Sequence, residues 1–276
     1  MAKNKFGLIG HPVKYSMSAV MHNAAFKKLG LPYKYELFDV EACELDSFMG
    51  KAFDFAGLNV TIPHKMEVIR YLDGLSREAA LIGAVNTIKT DGKKIGYNTD
   101  GMGCMKALEE NGVRVKGESA LVLGSGGAAR AVVYQLALDG AEISIANRTH
   151  DKALMLAKEV GEKTGAKTRA VECSDAEIKK AVGGCSILIN ATSVGMHPKV
   201  NDTPIKKEFL RKDLVVMDLV YNPVETRLLK ESHKQGCKTI DGVGMLVHQG
   251  AESLRIWLEI NPPIEVMKKA VVKGLS

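Results

Sequence analysis

The stretch Gly124-Ser125-Gly126-Gly127-Ala128-Ala129 constrains this chain more than any other. It fits G-x-G-x-x-A and stands between an apolar run, Ser119–Leu123, and a helical pattern, Ala128–Leu138. Geometry demands small residues there. Gly124 permits the tight turn from strand to helix, Gly126 lets the backbone approach a pyrophosphate, and Ala129 lets the helix pack closely on its strand. Amide groups at the helix N-terminus then face the phosphates, where the helix dipole also favours negative charge. A glycine turn without a ligand is the alternative. The correct flanks and a second strand at the right distance argue for a dinucleotide instead.

The choice of dinucleotide is read at the end of that second strand, where an NAD-binding chain usually carries Asp or Glu for the ribose 2′-hydroxyl. Here the strand ends in Ala146-Asn147-Arg148-Thr149, and the acidic residue is missing. The planar fork of Arg148 suits a 2′-phosphate and stacks on adenine. Lys152 adds a second positive charge from the first helical turn, although Asp151 sits beside it. NADP is therefore the expected cofactor, with a solvated arginine after a strand as the plainer reading of Arg148.

Elsewhere, short β-rich runs alternate with helical patterns, which argues for α/β architecture with mostly parallel sheets. Strands are expected near 5–9, 33–38 and 57–61, with helices over 17–29 and 64–72. Residues 84–89 and 94–97, parted by Asp91-Gly92, read as a hairpin with a tight turn. A connecting helix over 101–111 leads into the glycine motif. After it come strands at 142–146, 186–190 and 214–218, helices at 150–163 and 225–235, and an amphipathic helix over 245–258. At 276 residues the chain has room for two domains.

Composition excludes several classes. No apolar run approaches the roughly 20 residues of a membrane span, and the N-terminus lacks the pattern of a signal peptide, so the cytoplasm is the expected location. The five cysteines are scattered and odd in number, which argues against a disulfide framework or a zinc site. The formal charge of +6 suits anionic small ligands, but no arginine-rich run with interleaved aromatics points to nucleic acid. No His/Cys/Asp/Glu spacing argues for a metal.

Four polar clusters precede the glycine motif: Ser16 and Ser18 two residues apart, Asn59–Lys65, Gly83–Thr87, and Asn98-Thr99-Asp100. Singly, each has a plain reading: Ser16 or Ser18 as a helix cap, Asn86 as a turn residue, Asp100 as the cap of the following helix. Together, and in this order, they resemble the shikimate dehydrogenase family. Gly10-His11-Pro12-Val13, His22-Asn23, Asn190–Met196, Asp218–Pro223 and Asp241–Gln249 extend the resemblance over almost the whole chain.

The resemblance implies two domains: an N-terminal α/β substrate domain and a Rossmann-like doubly wound dinucleotide-binding domain, with the active-site cleft between them. The first would comprise 1–102 and the returning 240–276, the second 103–239. Lys65 would be the catalytic acid/base and Asp100 its partner. Ser16, Ser18, Asn59, Thr61, Asn86, Tyr221 and Gln249 would hold the substrate's carboxylate and hydroxyls. Gly124, Ser125, Gly126, Gly127 and Ala128 would line the cofactor with Asn147, Arg148, Thr149 and Lys152, as would Leu219 and Gly242.

The expected activity is NADP-dependent interconversion of 3-dehydroshikimate and shikimate. The expected partner is this small molecule, with no nucleic acid and no membrane, and a homodimer is the assembly to test. Chemistry supports the pair independently. Hydride transfer to a ketone builds negative charge on oxygen, so a proton donor must lie within hydrogen-bond reach. A lysine near its ordinary value of about 10.4 is a poor relay unless its surroundings act on it. Desolvation and a nearby carboxylate pull in opposite directions. Tyr15, Ala19 and Arg227 depart from the commonest family pattern, and none of these replaces a proposed catalytic group. Two rivals stand: a quinate/shikimate dehydrogenase of broader cofactor use, and a non-catalytic NADP-sensing module, which would need the glycine loop but neither Lys65 nor Asp100.

Overall fold

The computed structural model describes residues 4–276, and these divide into two compact units, one formed by the N-terminal part up to 103 with 246–276, the other by 104–245. In the first unit the chain runs β1 (Lys5–Gly10), α1 (Ser18–Leu29), β2 (Lys34–Asp39), α2 (Leu45–Met49), β3 (Gly57–Val60), β4 (Gly74–Leu75), α3 (Arg77–Ile82), β5 (Thr87–Asp91) and β6 (Lys93–Tyr97). The sheet order is β2-β1-β3-β5-β6-β4. β1 is parallel to β2 and β3, whereas β5 is antiparallel to both β3 and β6. The strand β3 is buried at all four positions, and Leu58 and Val60 join Ile9, Val85 and Ile88 in one apolar cluster. A side chain at Gly57 would meet the Trp257 indole at 2.3 Å, so glycine lets that ring lie flat against the strand, where its N–H donates to Ile88 O.

The expected helix over 64–72 is instead a set of turns followed by a 3-10 segment, Glu67–Tyr71. Val68 N bonds His64 O, but Ile69 N reaches only Met66 and Leu72 N only Ile69, so the turn tightens before an α-helix can propagate. The hairpin turns at Gly92, with φ of 68°. Its first strand starts at Thr87 rather than 84: α3 ends in a left-handed Gly83, and Val85 N bonds Lys65 O instead of a neighbouring strand.

The helix α4 (Asp100–Glu110) leads into the second unit, where β7 (Ser119–Leu123), α5 (Gly127–Leu138), β8 (Glu142–Ala146), α6 (His150–Thr164), β9 (Thr168–Val171), α7 (Asp175–Gly183), β10 (Ile187–Asn190), β11 (Val215–Asp218), α8 (Arg227–Lys234) and β12 (Lys238–Ile240) follow. All strands are parallel, in the order β12-β11-β10-β7-β8-β9. The chain works outward from β7 on one side, then returns to β10 and works outward on the other. This is the doubly wound arrangement, with its switch point between β7 and β10. Helix α9 (Gly242–Leu258) and α10 (Ile264–Leu275) complete the chain, and α10 packs on α1. Among the described residues no helix is long and apolar enough to cross a membrane.

Candidate active site

Lys65 and Asp100 lie 35 residues apart in sequence, yet Lys65 Nζ donates to Asp100 Oδ2 at 2.5 Å. Both side chains are largely shielded, at 13% and 5% exposure. Three anchors set the lysine backbone. His64 is buried with Nε2 at 2.7 Å from Val40 O, His64 N bonds Thr61 O, and Val85 N bonds Lys65 O. On the other side, Asn98 Oδ1 accepts from Asp100 N as α4 begins, and Asn98 Nδ2 reaches Ala84 O. Asp100 Oδ1 accepts from Asn86 Nδ2 at 2.9 Å. A carboxylate held on one oxygen by an amide and on the other by an ammonium has little freedom to turn.

The other expected residues of this unit gather around β1, β3 and α9. Ser16 Oγ lies 3.1 Å from Ser18 Oγ and accepts from Ser18 N, just before α1. Among the described residues no hydrogen bond joins this serine pair to Lys65 or Asp100. Thr61 follows β3, and its N–H donates to Ile9 O. A Cβ at Gly10 would lie 2.3 Å from the Thr61 methyl, so glycine lets the two segments touch. Gln249 on α9 has Oε1 3.4 Å from Asn86 Nδ2 and donates from Nε2 to Leu246 O. Asn59 is 4% exposed, and its side chain bonds inward to Tyr35, Asn86, Thr87 and Ser253.

In the second unit the expected cofactor residues line up along one edge of the sheet. Register pairs Leu123 with Ala146 and with Asn190, and Asn190 with Asp218. Four strands therefore end in one row, and the loops beyond them are stitched by Gly124 N to Ala146 O, Ala191 N to Leu123 O and Leu219 N to Asn190 O. Gly124 has φ of +115°, and a Cβ there would press on Ala191 O at 3.0 Å. At Gly126 a Cβ would meet nothing within 4 Å. Gly126 precedes α5 and has no side chain to cap it, so no side chain of the cap residue occupies the amides of the first turn. A glycine turn opening onto a helix N-terminus is an arrangement suited to a phosphate.

Beyond β8, Asn147 Nδ2 bonds Thr149 O. Arg148, Thr149 and Lys152 are exposed, and Arg148 has no ion-pair partner among the described residues. Gly242 lies against Leu219, whose carbonyl would be 2.6 Å from a Cβ. Tyr221 is half-buried two residues beyond Leu219.

One polar group in this unit received no role from the sequence. Asp218, fully buried, accepts from Asn190 Nδ2, Val220 N and Thr226 Oγ1. Burial pushes its carboxyl up to about 6, against the opposing pull of those three donors. Asn190 Oδ1 in turn holds Thr192 through its N–H and hydroxyl, which fixes the loop against which Gly124 turns. The clue was a buried-strand Asn and a buried-strand Asp, each ending its strand. Among the described residues no set of three or more His, Cys, Asp or Glu is grouped to hold a metal.

A doubly wound sheet with a glycine turn at its switch point, joined in one chain to a unit bearing a largely shielded lysine–aspartate pair, is the architecture of a dinucleotide-binding α/β protein. Comparison with known proteins makes this specific. Family models match in chain order: the shikimate dehydrogenase substrate binding domain over residues 8–88, shikimate/quinate 5-dehydrogenase over 106–238, and the shikimate 5'-dehydrogenase C-terminal domain over 242–272. The shikimate dehydrogenase (NADP+) of Methanocaldococcus jannaschii is 53% identical over 281 residues, covering 100% of this chain and 99% of that protein. A crystal structure of a shikimate dehydrogenase in complex with NADP+ matches with a TM-score of 0.92 and 49% identity, covering 99% and 96% of the two chains. That of Thermus thermophilus with NADP(H) and shikimate matches at 0.89 and 37%, covering 98% and 99%. The chain belongs to the shikimate dehydrogenase family.

Proposed function

We propose that this chain catalyses the reversible, NADP-dependent reduction of 3-dehydroshikimate to shikimate, a step of chorismate and aromatic amino-acid biosynthesis. The observation that carries the proposal is the Lys65–Asp100 contact at 2.5 Å, in a chain 53% identical throughout its length to a shikimate dehydrogenase (NADP+).

When bound, NADPH supplies the hydride. Lys65 gives a proton to the substrate's carbonyl oxygen as charge develops there, and takes it back from the hydroxyl in the reverse direction. Asp100 holds Nζ in place for both. Ser16, Ser18, Thr61 and Gln249 supply hydroxyl and amide groups for the substrate's carboxylate and ring hydroxyls, with Asn86 behind them and Tyr221 as a further contact. Gly124–Ala128 cradle the pyrophosphate. Arg148 and Lys152 take the 2′-phosphate, with Asn147 and Thr149 shaping their loop, and Leu219 and Gly242 line the cofactor. The five cysteines, all free, fit a reducing compartment such as the cytoplasm.

The test is absorbance at the reduced-nicotinamide band with shikimate or quinate, each paired with NADP or NAD. Turnover confined mainly to shikimate with NADP is the expected result. Comparable rates with quinate or NAD would move the chain to the broader-specificity reading, and silence in all four would favour an NADP sensor.

A further inference from the structure

The groups that face Lys65 are held by a chain of buried side chains that reaches well behind them. Tyr35 Oη donates to Asn59 Oδ1 at 2.7 Å. Asn59 Nδ2 lies 3.0 Å from Thr87 Oγ1, 3.0 Å from Asn86 O and 2.9 Å from Ser253 Oγ. Thr87 Oγ1 donates to Asn86 Oδ1 at 3.0 Å, and Asn86 Nδ2 donates to Asp100 Oδ1, the other oxygen of which meets Lys65. Tyr35 is 2% exposed, Thr87 and Ser253 0%, Asn59 4% and Asn86 2%.

The direction of the links through the two amides is fixed by groups that can act in only one way. The Thr99 N–H only donates, and it meets Asn86 Oδ1 at 2.9 Å, so the oxygen of Asn86 faces Thr99 and its nitrogen faces the carboxylate, which only accepts. Asn86 O only accepts, so Asn59 turns its nitrogen that way and its oxygen toward Tyr35, whose hydroxyl must donate. Between them, Thr87 Oγ1 donates to Asn86 Oδ1, which only accepts, and receives Asn59 Nδ2; it also lies 2.8 Å from Ser253 Oγ, where either hydroxyl can donate. Reversing either amide would set two donors or two acceptors against each other in a buried site, an arrangement that costs the desolvation of both groups.

We infer that Thr87, with Tyr35 and Ser253 behind Asn59, is a positioning residue that fixes the Asn86 amide and, through it, the Asp100 carboxylate against Lys65. Asn59 is a link in this chain rather than a contact of the substrate, because both of its amide hydrogens and its oxygen are engaged within the protein. Ser253, itself on α9, ties the same link to that helix, where its hydroxyl also donates to Gln249 O at 3.1 Å. The inference rests on the proposed reaction and adds residues that touch none of its reacting atoms.

Thr87→Val keeps the shape and removes the hydroxyl, whereas Thr87→Ser keeps the hydroxyl. In Thr87→Val, kcat for shikimate oxidation should fall roughly ten- to a hundredfold, the scale of an ångström-sized misplacement, with KM for shikimate and Kd for NADP changed far less. Thr87→Ser should restore kcat to within about threefold of the unmodified protein, as its hydroxyl keeps the same donor. In an Asn86→Ala background, Thr87→Val should cause little further loss, because the group it acts through is gone.

Equal losses in the valine and serine variants, or a valine loss carried undiminished into the Asn86→Ala background, would overturn the positioning role while leaving the reaction intact. No turnover by the unmodified protein would overturn the reaction and the role together. Should Thr87→Val not fold, Tyr35→Phe reads the outer end of the chain: a fall in kcat that vanishes in the Asn86→Ala background supports the inference, and an unchanged kcat overturns it.

Discussion

Around Lys65 in the first unit, side chains are bonded mainly to other side chains: lysine to aspartate, aspartate to asparagine, asparagine to threonine. Around Gly124 in the second, shape comes from backbone. Three strand-to-loop hydrogen bonds, a glycine with φ of +115° and an uncapped helix start shape the loop, and the side chains expected to read the cofactor's phosphate, Arg148 and Lys152, stand exposed beyond it. A proton must be delivered to one atom, so its donor needs a fixed direction. A diphosphate presents many equivalent oxygens, and a row of amides suffices for it. The two regions therefore respond differently to substitution, and that difference can be tested.

The largest effect is expected at Lys65. Lys65→Ala should lower turnover by two orders of magnitude or more, the typical share of a general acid/base, while NADP binding stays close to that of the unmodified protein. Steady-state rates and fluorescence titration with NADPH check both halves, and retained turnover would remove Lys65 from its role. At the other site, Arg148→Ala should weaken NADP binding roughly ten- to a hundredfold, the worth of a charge-assisted contact, and NAD binding much less. Equal losses for the two dinucleotides would show that Arg148 does not read the phosphate. The melting temperature should move little in this second variant, since Arg148 is exposed and holds no ion pair among the described residues.

The smallest effects lie in stability against pH, and here the two units are expected to have opposite signs. In the first, His22 is fully buried and stacked on Tyr35 with ring centroids 4.3 Å apart. Neither of its nitrogens has a partner, and burial pushes its pKa down from 6.5 to about 3. As pH falls below 6.5, the unfolded chain takes up a proton that the folded one refuses. Stability is thus lost progressively between 6.5 and about 3, by about 1.4 kcal/mol per pH unit.

In the second unit the Asp218 carboxyl sits at about 6 instead of 3.8. The folded chain binds its proton first, so this group adds stability as pH falls from about 6 to 4 and withdraws it as pH rises again, roughly 1–3 kcal/mol in total. Denaturant midpoints measured from pH 7 to 4.5 should fall less steeply for His22→Leu than for the unmodified protein, and more steeply for Asp218→Asn. Parallel curves for all three would sink the pH argument.

What could be read from the letters depended on whether a constraint was local. The glycine turn, its strand and its helix were legible because each demand falls within a few consecutive residues. The alternation of elements in the second unit was legible for the same reason. The short edge strand β9 escaped notice because only one of its four residues is buried. Helix α7 carried a usable sign, Ser174 three residues before Glu177, and the serine does accept from Glu177 N.

The 3-10 turn after Lys65 could not be foreseen from apolar spacing, which counts residues but not how tightly they wind. Lys65 and Asp100 were named only through resemblance, since the sheet order that joins them is not written in any spacing. Tyr35, Thr87 and Ser253 look in sequence like ordinary residues of a strand, a strand and a helix. Their part emerges only when segments up to 194 positions apart meet, as Asn59 and Ser253 do.

Arg148 stands exposed, with no ion-pair partner among the described residues. On the proposed role of that guanidinium, replacing it with an acidic residue should alter the preferred dinucleotide at almost no cost to folding. Preference for one nicotinamide cofactor over the other is in this sense a detachable trait, open to drift or selection by one or two substitutions in a loop. Behind Lys65 no position enjoys that freedom: a change at Asn59 or Thr87 disturbs several partners at once, and new substrate preferences there would have to arise through combinations of mutations.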